Sequence, residues 1–169
     1  GYLEAPVRLS SILRELGRLA AAPGFHGTVT DLGGPSANLY GCRNGGDGAC
    51  RTCRRPSCLF PALCGHFKIA EEPAIGVLRA ARAVPGVKHV FLGSGLRYDL
   101  IGEADWEDFA SIIAHHVSGQ LKVAPEHVAP PVLALMRKGA RGDFPAFVRR
   151  FGETAGRLGR KVYLVPYFM

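Results

Sequence analysis

Five cysteines, Cys42, Cys50, Cys53, Cys58 and Cys64, crowd into one stretch with the spacing C-x7-C-x2-C-x4-C-x5-C, and His66 follows closely. Thiolates are soft ligands that suit zinc and iron–sulfur clusters. Four or more in one loop point to a metal site; the plain alternative is a set of reduced thiols in a basic loop. The spacing leaves open which four would bind and which metal they would hold. A secreted disulfide framework would be shorter and would spread its cysteines through the fold, so a cytoplasmic location is expected. The same stretch, residues 41–68, holds Arg43, Arg51, Arg54, Arg55 and Lys68 against Asp47 alone, and so carries most of the net charge of +7. Such a patch suits nucleic acid, an anionic cofactor or an anionic metal centre, or is simply solvated surface.

Further candidates lie where strands are expected to end, because ligands of parallel α/β sheets bind outside the carboxyl ends of the strands. Residues 26–32 (HGTVTDL) are β-branched and run into Gly33-Gly34-Pro35, where paired glycines let backbone approach a ligand closely. A second strand over 87–92 exits into Gly93-Ser94-Gly95, and Arg97 follows. Ser94 and Arg97 have the donors to bind a carboxylate. A third strand over 120–124 carries Lys122 and breaks at Pro125, just before Glu126. The Glu126 carboxylate suits hydrogen bonds from ribose hydroxyls. Taken singly, each of these residues is as well explained as a turn or a cap. Three such exits on consecutive strands favour a ligand site. Lys122 has a rival role as a Schiff-base lysine, although such lysines more often pair with an anion. His115 and His116 end a helix, where they suit the dipole and read as caps or supports, not as ligands.

These residues need elements to position them. Apolar residues at helical spacing predict a helix over 7–22, stopped by Pro23-Gly24. Others are expected over 73–84, from Asp105 to about His116, over 130–138 and over 144–158. A fourth strand over 161–165 is broken by Pro166. Strands alternating with helices imply right-handed βαβ units and a parallel sheet. The cysteine stretch is too rich in Gly, Arg and Pro for regular structure. With 169 residues, 47% hydrophobic and 21% charged, the chain has the make-up of one globular domain. No window approaches about 18 apolar residues, so no membrane span is expected. Gly1-Tyr2-Leu3-Glu4 carries no export signal. A complete β/α barrel would need about 250 residues.

Several blocks together resemble the YgiQ-type radical S-adenosylmethionine proteins. Asp31-Leu32-Gly33-Gly34-Pro35-Ser36-Ala37-Asn38-Leu39-Tyr40 is similar to a D-L/V-G-G-P-T-A-N-M-Y segment of that family. The likeness continues through residues 53–61 (CRRPSCLFP) and 94–99 (SGLRYD). Its longest block is 115–127 (HHVSGQLKVAPEH), and 163–167 (YLVPY) closes it, so the family's order is kept over nearly the whole chain.

The resemblance implies part of a TIM-type (β/α) barrel across residues 1–169. It would have about four parallel strands, flanking helices and the cysteine-rich basic insertion 41–68 after the first strand. It also implies an enzyme in which a [4Fe–4S] cluster, fed by an electron donor, reduces S-adenosylmethionine to a 5′-deoxyadenosyl radical for hydrogen abstraction from an unknown substrate. In related barrels a Gly-Gly-Glu turn meets the cofactor's amino group; here Gly33-Gly34-Pro35 replaces the acid with proline. Ser94, Arg97, Lys122 and Glu126 would line the carboxylate and ribose side. The cluster motif C-x3-C-x2-C is missing from this sequence. The expectation is therefore a central excerpt of a longer enzyme, inactive alone, with the cluster loop upstream. Cys42, Cys53, Cys58 and Cys64 match family cysteines and Cys50 is extra; they are candidates for a second iron–sulfur cluster or zinc. The rival readings are a zinc-bearing nucleic-acid-binding module built on the basic loop, and a Schiff-base lyase using Lys122.

Overall fold

The computed structural model describes residues 8–34, 36–43, 45, 48–68, 71–103, 105–138 and 143–169. Helix α1 (Leu9–Ala20) turns Leu16 into the core, with Ile12, Leu13 and Ala20 packed beside it. The chain then enters β1 (Thr28–Val29), crosses through α2 (Gly48–Arg51) and α3 (Glu71–Arg82), and returns in β2 (His89–Val90). Strands β1 and β2 pair in parallel, Thr28 with His89 and Val29 with Val90. Helix α4 (Trp106–His115) leads to β3 (Gln120–Glu126); α5 (Pro130–Leu135) and α6 (Phe144–Arg157) lead to β4 (Tyr163–Phe168). Strands β3 and β4 are also parallel, with Leu121 opposite Leu164 and Val123 opposite Pro166. A parallel bridge between Leu96 and Val123 joins the two pairs, and the Leu92 N–H donates to the His116 carbonyl at 2.9 Å. Four parallel strands thus alternate with helices. No closed barrel forms among the described residues.

Burial explains the order. Along β3, Leu121, Val123 and Pro125 are buried while Lys122, Ala124 and Glu126 are half-buried on the opposite face, the two-residue alternation of a pleated strand. Val90, Ile113, Val117 and Leu121 are fully enclosed. Aromatic side chains lock α4 to α6: Phe109 packs on Phe147 and Phe151, and Trp106 donates its indole N–H to Thr154 Oγ1 at 2.9 Å. The Arg150 guanidinium stacks 4.1 Å over Trp106.

Several boundaries differ from those read from sequence. Both strands expected to break at proline run through it: β3 passes Pro125 and β4 passes Pro166. Pro166 is tolerated because β4 pairs with β3 alone among the described residues, and the ladder loses register between Val123 and Glu126. The first two strands shorten to two residues each, although Leu32 N–H still donates to Phe91 O at 2.8 Å. Asp105 sits at the N-cap of α4 without a side-chain cap bond; its carboxylate instead accepts from Gly102 N–H at 2.6 Å. The cysteine stretch, read as irregular, contains the one-turn helix α2. No described helix is long and apolar enough to cross a membrane.

Candidate functional site

The exits of β1 and β2 are tied together by one carboxylate. Asp31 accepts hydrogen bonds from Gly93 N–H at 2.9 Å, from Ser94 N–H at 3.1 Å and from the Ser94 hydroxyl. Burial alone would raise its pKa. The Ser94 hydroxyl, the two amides and the charge of Lys122 outweigh that and hold Asp31 below the ordinary 3.8, so it is anionic at neutral pH. Gly33, at φ +140, packs against Ala37 so closely that a Cβ would come within 2.7 Å of the Ala37 Cβ; Gly34 has open space around it. Pro35 lies outside the described residues. Beside Asp31 and Gly33 a cavity of about 520 Å³ opens between α1 and α3, floored by apolar residues such as Leu16, Leu78 and Leu92. Ser94, Arg97, Lys122 and Glu126 are not among its walls.

A side chain that sequence reasoning did not single out fixes the next segment. Asn38 accepts from Arg97 N–H and donates to Arg97 O, both at 2.9 Å, and so pins the loop after β1 to the loop after β2. The Arg97 guanidinium closes on Asp99 through Nε (2.8 Å to Oδ1) and Nη2. The Asp99 hydrogen bonds hold the Arg97 pKa above its ordinary value despite burial. Thus Ser94 and Arg97 both already meet a carboxylate of the chain itself.

On β3, Lys122 lies directly behind Gly95. A Cβ on Gly95, whose φ is +115, would fall 2.7 Å from the Lys122 carbonyl, so only glycine lets these loops touch. Glu126 adopts φ 65, a left-handed conformation costly for a side chain with Cβ. Its carbonyl accepts from Met169 N–H at 2.9 Å, and its side chain meets Lys138, whose Nζ donates to Glu126 Oε1 at 2.7 Å and to Ala124 O at 2.9 Å. Lys138 carried no sequence signal beyond a helix-end cation. The charge of Glu126 reaches Arg97, and that of Lys122 reaches Asp31. Asp31, Ser94, Arg97 and Glu126 therefore form one polar edge at the carboxyl ends of three strands, with the charge of Lys122, from within β3, reaching it.

His116 is not at this edge. It is 3% exposed, and its Nδ1 lies 2.8 Å from Val90 O, so Nδ1 carries the proton. Burial pushes its pKa below 6.5.

The cysteine stretch is closed at its base by an antiparallel bridge: Lys68 N–H donates to Arg43 O at 2.8 Å and Arg43 N–H to Lys68 O at 3.1 Å. Within it, Cys53 N–H donates to Cys50 O, Cys64 N–H to Cys58 O, and Arg55 N–H to Cys53 Sγ at 3.5 Å. The Arg55 guanidinium donates to the carbonyls of Ser57, Phe60 (3.1 Å) and Ala62. Burial raises the Cys58 pKa, and the charges of Cys64, Cys50 and Cys53 push it the same way. Cys42 is 5% exposed and donates to Asn38 O at 3.6 Å. None of the five cysteines is in a disulfide. As placed, no three His, Cys, Asp or Glu side chains among the described residues converge closely enough to hold a metal ion.

No family profile matches the chain, and no solved structure does. Curated relatives are clear. A UPF0313 protein of Geobacter sulfurreducens is 45% identical over 159 residues, covering 94% of this chain and 26% of the relative. UPF0313 proteins of Vibrio vulnificus and Shewanella oneidensis are 44% and 41% identical over 162 residues, again covering 94% of this chain but 21% and 20% of theirs. The chain spans about a fifth to a quarter of the length of the curated relatives it matches. Along nearly its whole length, this chain is similar to one segment of the UPF0313 proteins.

Proposed function

We propose that the chain is the S-adenosylmethionine-binding flank of a YgiQ-type radical enzyme, built as part of a β/α barrel and working in the cytoplasm. The observation that carries this reading is the polar edge from Asp31 to Glu126, assembled where parallel strands end and where small ligands of such sheets bind. When bound, the cluster and S-adenosylmethionine supply a radical that abstracts hydrogen from a substrate. The cluster's ligand run is not in this sequence, so its thiolates would come from elsewhere in the protein.

The residues present fit S-adenosylmethionine by charge. Asp31, anionic beside Gly33 and Gly34, would face its cationic amino group, in place of the acid that Pro35 does not supply. The Asp99 pair uses Nε and Nη2 of Arg97, so the cofactor's carboxylate would be met by Nη1. Glu126, presented by its left-handed backbone, would accept from the ribose hydroxyls, with Lys138 orienting it. Lys122 would balance the charge of Asp31. In the full-length protein, reconstituted anaerobically with iron and sulfide and given a reductant, wild type is expected to release 5′-deoxyadenosine. Glu126→Ala is expected to do so about tenfold or more slowly at limiting cofactor, from loss of hydrogen bonds to a charged group. Equal rates in the two proteins would contradict the assignment.

A further inference from the structure

We infer that the cleft between the last turns of α3 and α4 is a binding site for a small oxyanion that carries its own O–H, of which inorganic phosphate is the simplest example. The cleft has a volume of about 510 Å³ and is lined by Arg79 and Arg82 of α3, Ala83 just beyond it, Ser111 and His115 of α4, and His116 at the α4 C-cap. Helical spacing puts these groups together. Arg79 and Arg82 stand three residues apart and Ser111 and His115 four, so each pair shares one helix face. The chain leaves α3 for β2 and leaves α4 for β3, so the cleft lies at the amino ends of these strands. The polar edge lies at the opposite ends, and the cleft is a site apart from the cofactor reading.

The positive charge of the cleft is not consumed within the protein. Arg82 has no ion pair among the described residues. Arg79 reaches Asp108 only at 3.9 Å with both side chains largely in solvent, a weak pair. Helix dipoles favour cations at these helix ends, but each end carries only about half an elementary charge. Two guanidinium groups exceed that and suit the oxygens of an oxyanion. His116 adds what the dipoles do not explain. It is 3% exposed, its Nδ1 donates to Val90 O at 2.8 Å, and its carbonyl accepts from Leu92 N–H at 2.9 Å, so the ring is fixed in place. Its Nε2 has no hydrogen-bond partner among the described residues. The one sealed side-chain polar atom without a partner there is Asp105 Oδ1, so Nε2 of His116 opens onto the cleft that the ring lines. With the proton on Nδ1, the neutral ring accepts at Nε2. The charges of His115, Arg82 and Arg79 disfavour a second proton. Sulfate would meet the arginines but turn an oxygen lone pair toward Nε2. Hydrogen phosphate satisfies both, giving oxygens to Arg79 and Arg82 and its O–H to Nε2. The half-buried Ser111 hydroxyl takes either role.

Titration calorimetry of the full-length protein at neutral pH and fixed ionic strength tests the site, with inorganic phosphate and sulfate as probes. Phosphate is expected to bind wild type saturably, and sulfate about tenfold or more weakly for want of the donor. Arg82→Gln, at an exposed position, is expected to weaken phosphate binding about tenfold or more. Phosphate is also expected to raise the melting temperature of wild type but not of the Arg79→Gln/Arg82→Gln protein, a readout that does not depend on the heat of binding. Glycerol 3-phosphate separates two sources of the same group: tighter binding than phosphate assigns it to an ester, weaker binding to the free ion. Wild type that binds no phosphate, sulfate bound as tightly as phosphate, or an Arg82→Gln protein that binds phosphate like wild type would overturn the inference.

Discussion

At the scale of single residues, two side chains matter more than their positions suggest. Asn38 makes both its hydrogen bonds to the backbone of Arg97, across a sequence separation that a local turn could not span. Removing the amide leaves a half-buried N–H and C=O to find water. Asn38→Ala is expected to lower stability by about 1–3 kcal/mol, read as a lower urea midpoint at unchanged slope; an unchanged midpoint would contradict the pinning role. His116 supplies a pH dependence whose sign follows from burial. Its folded pKa lies below the unfolded 6.5, so the unfolded state binds the proton more readily. Stability is therefore fully present above about pH 6.5 and is lost as the pH falls from there through the folded value. Urea midpoints measured across that window are expected to drop on acidification in wild type and to change less in His116→Gln.

At the scale of elements, the crossing of the β2 exit over β3 depends on the absence of a side chain. Gly95 has both a φ that L-residues avoid and no room for a Cβ against the Lys122 carbonyl. Gly95→Ala is expected to cost about 1–3 kcal/mol from backbone strain and to weaken the Leu96–Val123 bridge. Amide exchange at Leu96, whose N–H donates to Lys122 O, would be expected to quicken; an unaltered rate would show that the loops adjust. This is also where sequence reasoning reached its limit. The alternation of parallel strands and helices was legible from hydrophobic spacing, and so was α4 from its apolar face. The strand ends were not, because proline reads locally as a breaker, whereas β3 runs on past Pro125 to pair Glu126 with Phe168, and β4 runs through Pro166 opposite Val123. The Glu126 conformation was hidden for the same reason. Its backbone is tied to the end of β4 by the Met169 N–H and its side chain is held by Lys138, both from other elements.

At the scale of the whole molecule, the chain brings one polar edge and one cysteine-rich loop onto a single parallel framework. The identities of Ser94, Arg97, Lys122 and Glu126 were legible as candidates, since each follows or lies on a strand. Their internal partners were not, because Asp31, Asp99 and Lys138 are ordinary turn or helix-end residues until the fold sets them opposite. The similarity to one segment of the UPF0313 proteins covers both features together. Under the proposed function, the polar edge receives S-adenosylmethionine. Equilibrium dialysis of labelled S-adenosylmethionine against the reconstituted full-length protein tests it most directly, with wild type compared to Arg97→Ala. Losing the charged contact to the cofactor's carboxylate is expected to weaken binding by at least about tenfold, while the metal content stays the same. Binding of equal strength in the two proteins would contradict the claim.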